Sequence, residues 1–232
     1  MAQVASGRVE LSTLQTLCLL ALNGFYNGET ALSQVHRSLC MTLVHSAHLH
    51  HEPVYQIDQR LVEERRRCYW SIVLLQQLLG DEVPTVRSQL PQARMPTPQF
   101  PVSATSPPMR NASEDGQQEV SSQQQDGILY VNLKLSKVWS QAQQYIRNRG
   151  ASGEGVPPWS PQSAYSKTVE SIMNLGQQIS SMHRYRFIRM SNIRMQELKE
   201  SRDYWGPWLL SRLLYHTSIC ILNHPILIML QL

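Results

Sequence analysis

Apolar positions along this chain recur every three or four residues, the spacing of one helix face, and nowhere sustain the strict alternation of a half-buried strand. In LSTLQTLCLLALNGFYNG, the residues Leu14, Leu17, Cys18, Ala21, Leu22 and Phe25 fall on one side. Ser12 is the expected N-cap and Asn27-Gly28 the expected stop. After a short turn comes ETALSQVHRSLCMTLVHSAHLHH. Here Leu32, Val35, Leu39 and Leu43 are expected on the inner face, with His36, Cys40, Val44 and Ala47 beside them. Two helices joined so closely pack antiparallel. Pro53 closes the pair, and Asp58 suits the N-cap of a third helix from Gln59 to Leu79. Its stripe is Leu61, Cys68, Ile72, Leu75 and Leu79, while Tyr69, Trp70, Val73, Leu74 and Leu78 cover the other sides. A helix apolar all round is buried all round, so this one is expected to start in solvent and run into the middle of a bundle.

The pattern then breaks. Between Pro84 and Gly127 lie seven of the thirteen prolines, and DGQQEVSSQQQD is of low complexity. Such a stretch buries too little apolar surface to offset its ordering entropy, so it is expected to be a disordered insertion. Helical spacing resumes in ILYVNLKLSKVWSQAQQYIRN, with Leu129, Leu133, Val138, Ala142, Tyr145 and Ile146 as its apolar face. A Gly/Pro turn leads to AYSKTVESIMNLGQQISSMHRYRF, where Val169, Ile172, Leu175, Ile179 and Met182 line up. A last helix, WGPWLLSRLLYHTSICILNHP, places Trp205, Trp208, Leu209, Leu213 and His216 on one side and stops at Pro225. The expectation is an all-α fold, a bundle of antiparallel helices in two parts: residues 1–83, then 128–232, with 84–127 inserted between them.

Composition changes this picture little. The net charge of +4 over 232 residues is mild, and argues for nucleic-acid binding only if clustered on one face. Cys18, Cys40, Cys68 and Cys220 are far apart, so no C-x-x-C motif exists; each sits in an apolar run and reads as a reduced core residue. The N-terminal MAQVASGRVE does not look like a secretory leader. The apolar run SICILNHPILIMLQL is broken by Asn223, His224 and Pro225 and is shorter than the roughly 20 residues that span a bilayer.

Three clusters could carry chemistry. His45, His48, His50 and His51 invite a metal reading, since His45 and His48 share a helix face. The simpler expectation is solvated imidazoles at the negative end of a helix, and no metal site. Arg65, Arg66 and Arg67 could meet phosphate. Glu63 is placed to pair with Arg66 and Arg67, and Glu64 with Arg67, so a solvated helix end is expected instead. The basic segment 184–202 reads as a solvated connecting helix. The sequence contains no G-x-S-x-G, G-x-x-x-x-G-K, G-x-G-x-x-G or H-E-x-x-H motif, so no catalytic and no cofactor-binding residue is assigned.

EERRRCYWSIVLLQQLLGD, with Arg65, Arg66, Arg67, Cys68, Tyr69 and Trp70, resembles the central signature of the regulatory (middle homology) domain of fungal binuclear zinc-cluster transcription factors. The paired helices upstream are similar to those that precede the signature in that family. The later block resembles another, through Trp205, Trp208, Tyr215, His216, Asn223, His224 and Pro225. After the signature the family commonly has Gly-Arg-Pro, where this chain has Gly80-Asp81-Glu82-Val83-Pro84. Members read DNA through six cysteines holding two zinc ions. Four lone cysteines cannot supply that cluster, so no zinc is expected in this chain, and DNA is expected only through the missing module. The family's domain also continues past the Pro225 block, which points to a truncated member.

The resemblance implies a nuclear, non-catalytic regulator of transcription by RNA polymerase II. Its partners would be transcription machinery or regulatory proteins, a small effector, or a second copy of the chain, with no membrane. The rival reading is a helical metal- or small-ligand-binding enzyme fragment using the His45–His51 cluster.

Overall fold

The structure, a computed structural model, describes residues 9–52, 58–79, 95–96, 127–149, 156–157, 159–180, 183–184, 193 and 195–223. Among these the regular elements are seven helices and no strand: α1 (Leu11–Tyr26), α2 (Thr30–Ser46), α3 (Gln59–Leu78), α4 (Ile128–Arg149), α5 (Ala164–Gln178), α6 (Met195–Glu200) and α7 (Arg202–Asn223). The all-α expectation holds. The chain divides into two compact units, Met1–Thr97 and Pro98–Leu232. The division falls within the expected 84–127 insertion, of which only residues 95–96 and 127 are among those described. No helix among the described residues is long and apolar enough to cross a membrane.

In the first unit, α1 and α2 form an antiparallel pair. Ala21 meets Ser33 near the turn, where the Ser33 hydroxyl donates to the Ala21 carbonyl at 2.7 Å; Leu14 meets Cys40 at the far end. Gly28, at φ 79°, takes the left-handed conformation that the turn demands. Gly24 lets the backbones close: a Cβ there would sit 3.3 Å from the Ser33 nitrogen. This close approach selects small residues over large apolar ones. It rotates α2 away from the expected register. Ser33, Arg37, Cys40, Met41 and Val44 are buried, while Leu32, Val35 and Leu39 are left in solvent. On α1, Leu14, Leu17, Ala21 and Gly24 are buried, and Phe25 is exposed. The expected Ser12 cap is replaced by Glu10, whose side chain makes no cap and instead accepts from the Ser12 hydroxyl.

Helix α3 begins where expected, the Asp58 carboxylate accepting from the Arg60 N–H at 3.1 Å. It is not sheathed on all sides. Val62, Cys68, Tyr69, Ile72, Val73, Leu75 and Gln76 are buried, Leu61 is exposed, and Trp70, Leu74 and Leu78 are half-buried. Gln76 belongs inside because its side-chain N–H donates to the Arg37 carbonyl at 3.0 Å.

In the second unit, α4 is buried along much of its length. On α4, Ile128, Val131, Leu133, Leu135, Val138 and Ala142 are buried together with Asn132 and Ser136. Asn132 donates to the Pro207 carbonyl of α7 at 2.9 Å, and Ser136 to Leu133 at 3.0 Å. Helix α5 runs against α7: Tyr165 meets Asn223, and Gly176 lies against Tyr215. The inner face of α7 is Tyr204, Trp205, Trp208, Ser211, Leu214, Ser218 and Leu222. The expected side is wrong at Leu209, Leu213 and His216, all exposed. Again small polar residues turn inward because their hydroxyls are satisfied on their own helix: Ser211 donates to Trp208, and Ser218 to Leu214.

Candidate functional site

The His45–His51 stretch and the Arg65–Arg67 triplet come together where α2 ends and α3 begins. The C-terminus of α2 is a Schellman turn. Leu49 N–H reaches back to the Val44 carbonyl and His48 N–H to the His45 carbonyl, each at 3.1 Å, and His48 takes φ 50°. Histidine tolerates this left-handed position better than most non-glycine residues. Leu49 is buried and anchors the reversal. Because the chain doubles back within one turn, imidazoles from both sides of the cap converge. His50 lies 4.0 Å from His51, 5.2 Å from His45 and 5.9 Å from His48, ring centre to ring centre. Ring nitrogens of His48, His50 and His51 all lie within 4.8 Å of one another. His50 Nδ1 is buried and has no hydrogen-bond partner. Burial, then the neighbouring His51, His45 and His48, push the His50 imidazole below its ordinary affinity for a proton.

The next residue clamps the turn to α3. Both oxygens of Glu52 accept from Arg66, Nε at 2.9 Å and Nη2 at 2.8 Å, a bidentate pair. Glu63 adds a longer contact to Arg66 at 3.9 Å and accepts from Arg67 Nε at 3.1 Å. The expected pairing of Glu63 with both arginines is present. The bond from Glu52, fourteen residues before Arg66, had no local signal in the sequence. The middle of the triplet is therefore a structural strut: Arg66 has 15% of its side chain exposed and is committed to a carboxylate.

Three cysteines gather in the same unit, Cys40 and Cys68 buried and Cys18 half-buried beside them. Cys18 Sγ lies 3.8 Å from Cys40 Sγ, and Cys40 also points at the Leu14 carbonyl. The hydrogen bond with Cys18, then burial, push the Cys40 thiol far up; burial pushes Cys68 up to about 11. All four cysteines are free, but Cys220 is exposed and Cys18 only half-buried, so the expectation of four core residues fails at both.

The second unit contains a buried polar knot that sequence reasoning did not assemble. His183 Nδ1 meets the Tyr204 hydroxyl at 3.1 Å, and the His183 carbonyl accepts from Trp208 Nε1 at 3.1 Å and from Arg212. Arg212 also stacks over the Trp208 ring at 5.3 Å. Arg184, expected in a solvated basic helix, instead donates to the Ile179 carbonyl at the end of α5. Arg186, Arg189 and Arg194 of that segment lie outside the described residues.

Residues 5–79 match the family model described as the Fungal specific transcription factor domain, the middle homology region of fungal zinc-cluster transcription factors. The match takes in α1, α2 and α3 with the histidine turn and the arginine clamp, about a third of the chain, and does not extend to the Trp205–Pro225 block. No curated protein and no solved structure matches the chain.

Proposed function

We propose, from the fungal transcription factor domain at residues 5–79, that this chain is a non-catalytic regulatory body. It acts in the nucleus on transcription by RNA polymerase II, through contacts with protein partners or a small effector. The observation that carries this reading is the domain match, and the clamp agrees with it. Two arginines of the triplet, Arg66 and Arg67, are engaged by Glu52 and Glu63. Reading bases requires side chains free to reach a groove edge. What favours a protein partner is the number of large apolar side chains that α1 and α2 leave in water, including Leu19 at 67%, Val35 at 60% and Tyr26 at 81% exposure. Transcription machinery, a regulatory protein or a second copy of the chain would cover such side chains. The enzyme alternative gains nothing from the histidine turn, whose adjacent carboxylate Glu52 is held by Arg66.

The test pairs imaging with a mobility shift. A fluorescently tagged full chain is expected to concentrate in fungal nuclei. The purified chain, challenged with a random duplex pool at physiological salt, is expected to enrich no sequence. Exclusion from nuclei, or recovery of a consensus site bound directly by the chain, would overturn the reading.

A further inference from the structure

We propose that the turn after α2 is a binding site for a borderline divalent transition cation of the zinc type, held by His48, His50 and His51, with a structural rather than catalytic role. The proposal rests on geometry and is independent of the transcriptional reading. Three imidazoles place ring nitrogens within 4.8 Å of one another. A tetrahedral zinc with Zn–N bonds of about 2.1 Å needs its ligand nitrogens about 3.4 Å apart. The remaining closure is at most about 1.4 Å, the 4.8 Å spread less that distance, within reach of χ rotations in His48 and His51, both exposed. The second observation is an orphan: His50 Nδ1 is buried without a hydrogen-bond partner. An imidazole nitrogen in that position is unfavourable in either tautomer unless something satisfies it, and a cation bound to its lone pair in the tautomer protonated at Nε2 would do so.

The backbone is already spent in favour of this arrangement. The Schellman turn holds His48 at φ 50° and places it beside the last carbonyls of α2, the negative end of the helix, where positive charge is favoured. The Glu52–Arg66 clamp fixes the chain immediately after His51, so the three donors are presented from a short, tethered segment. The carboxylate of Glu52 is taken by Arg66, so the donor set is nitrogen only, with the fourth position open to His45, whose ring lies 5.2 Å from that of His50, or to water. Nitrogen donors without carboxylate favour zinc, nickel or copper over magnesium or calcium.

The test is calorimetric titration of the chelator-stripped full chain with zinc chloride. One zinc ion per chain is expected. Two variants remove donors without touching the core: His48→Gly, which suits the left-handed backbone better than the native residue, and His51→Asn. Each is expected to weaken zinc at least about tenfold, while circular dichroism and Tm in the absence of metal stay at or above the native values. Because Cys18 and Cys40 are also close together, cobalt is loaded in parallel. A spectrum of nitrogen and oxygen ligation is expected. No heat above dilution, unchanged affinity in both variants, or a thiolate-to-cobalt charge-transfer band would each overturn the assignment.

Discussion

Replacing Glu52 with alanine tests whether Arg66 is a strut. The substitution removes both acceptors of the bidentate pair at 2.9 and 2.8 Å and leaves Arg66, only 15% exposed, with the 3.9 Å contact to Glu63. Hydrogen bonds to charged groups contribute roughly 1.5–3 kcal/mol when well buried. Glu52 is 31% exposed, so solvent screens part of this, and Glu63 recovers a little more. The expected loss is about 1–2 kcal/mol, a factor of roughly 5–30 in the opening equilibrium of this region. Hydrogen–deuterium exchange by mass spectrometry reads it directly. Peptides covering the end of α2 and the start of α3 should exchange faster by that factor. Arg66→Ala should produce a similar effect, and the double variant should cost less than the two singles together. Should Glu52→Ala leave those peptides within about twofold of native, or should the effects simply add, the clamp contributes nothing and the reasoning fails. If Arg66 were instead a phosphate contact, freeing it would raise duplex affinity with a steeper salt dependence; no such gain is expected.

Tyr69, pushed up to about 12 by burial, stays protonated in the fold while the unfolded chain ionises near 10. The unfolded state therefore holds fewer protons between those values, and stability falls as pH rises, by about 1.4 kcal/mol per pH unit; Tyr69→Phe should shallow the alkaline limb of a pH-dependent urea melt, and an unchanged limb would count against burial of the phenol. Iodoacetamide labelling followed by peptide mass spectrometry should modify the exposed Cys220 first and Cys40 and Cys68 last, since the hydrogen bond with Cys18 and burial keep Cys40 protonated and burial keeps Cys68 so; labelling of Cys40 as fast as Cys220 would contradict the packing. Trp208→Ala removes a side chain with 1% exposure together with its bond to the His183 carbonyl, and should destabilise the second unit by about 3–5 kcal/mol in urea; a loss below about 1 kcal/mol would refute the buried knot.

Helix existence was legible because it follows from period alone: α3 starts at Asp58 as the cap pattern requires, and α1, α2 and α4 lie where apolar spacing placed them. Which side faces inward was less legible, for one recurring reason. Apolarity pointed to Leu32, Val35 and Leu39 on α2 and to Leu209 and Leu213 on α7, yet the inner faces are built around Ser33, Ser211 and Ser218. A serine is small enough for two backbones to approach, and its hydroxyl finds a carbonyl on its own or the facing helix, so the desolvation cost of burying it is offset. The histidine turn was visible as a run of imidazoles, but its convergence depends on His48 adopting a left-handed backbone, which the run itself does not announce. The Glu52–Arg66 pair and the His183 knot join residues fourteen to twenty-nine positions apart, beyond any local pattern.

The central proposal is that this chain regulates transcription through what its helices bind, with Arg66 kept as scaffold. Tethering the full chain to a heterologous DNA-binding domain upstream of a reporter in a fungal host tests this most directly. The account predicts that reporter output changes, in either direction, and that the change is lost when Leu19, Val35 and Tyr26 are replaced together by polar residues at unchanged protein level. A reporter indifferent to the tethered, well-expressed, folded chain would contradict it.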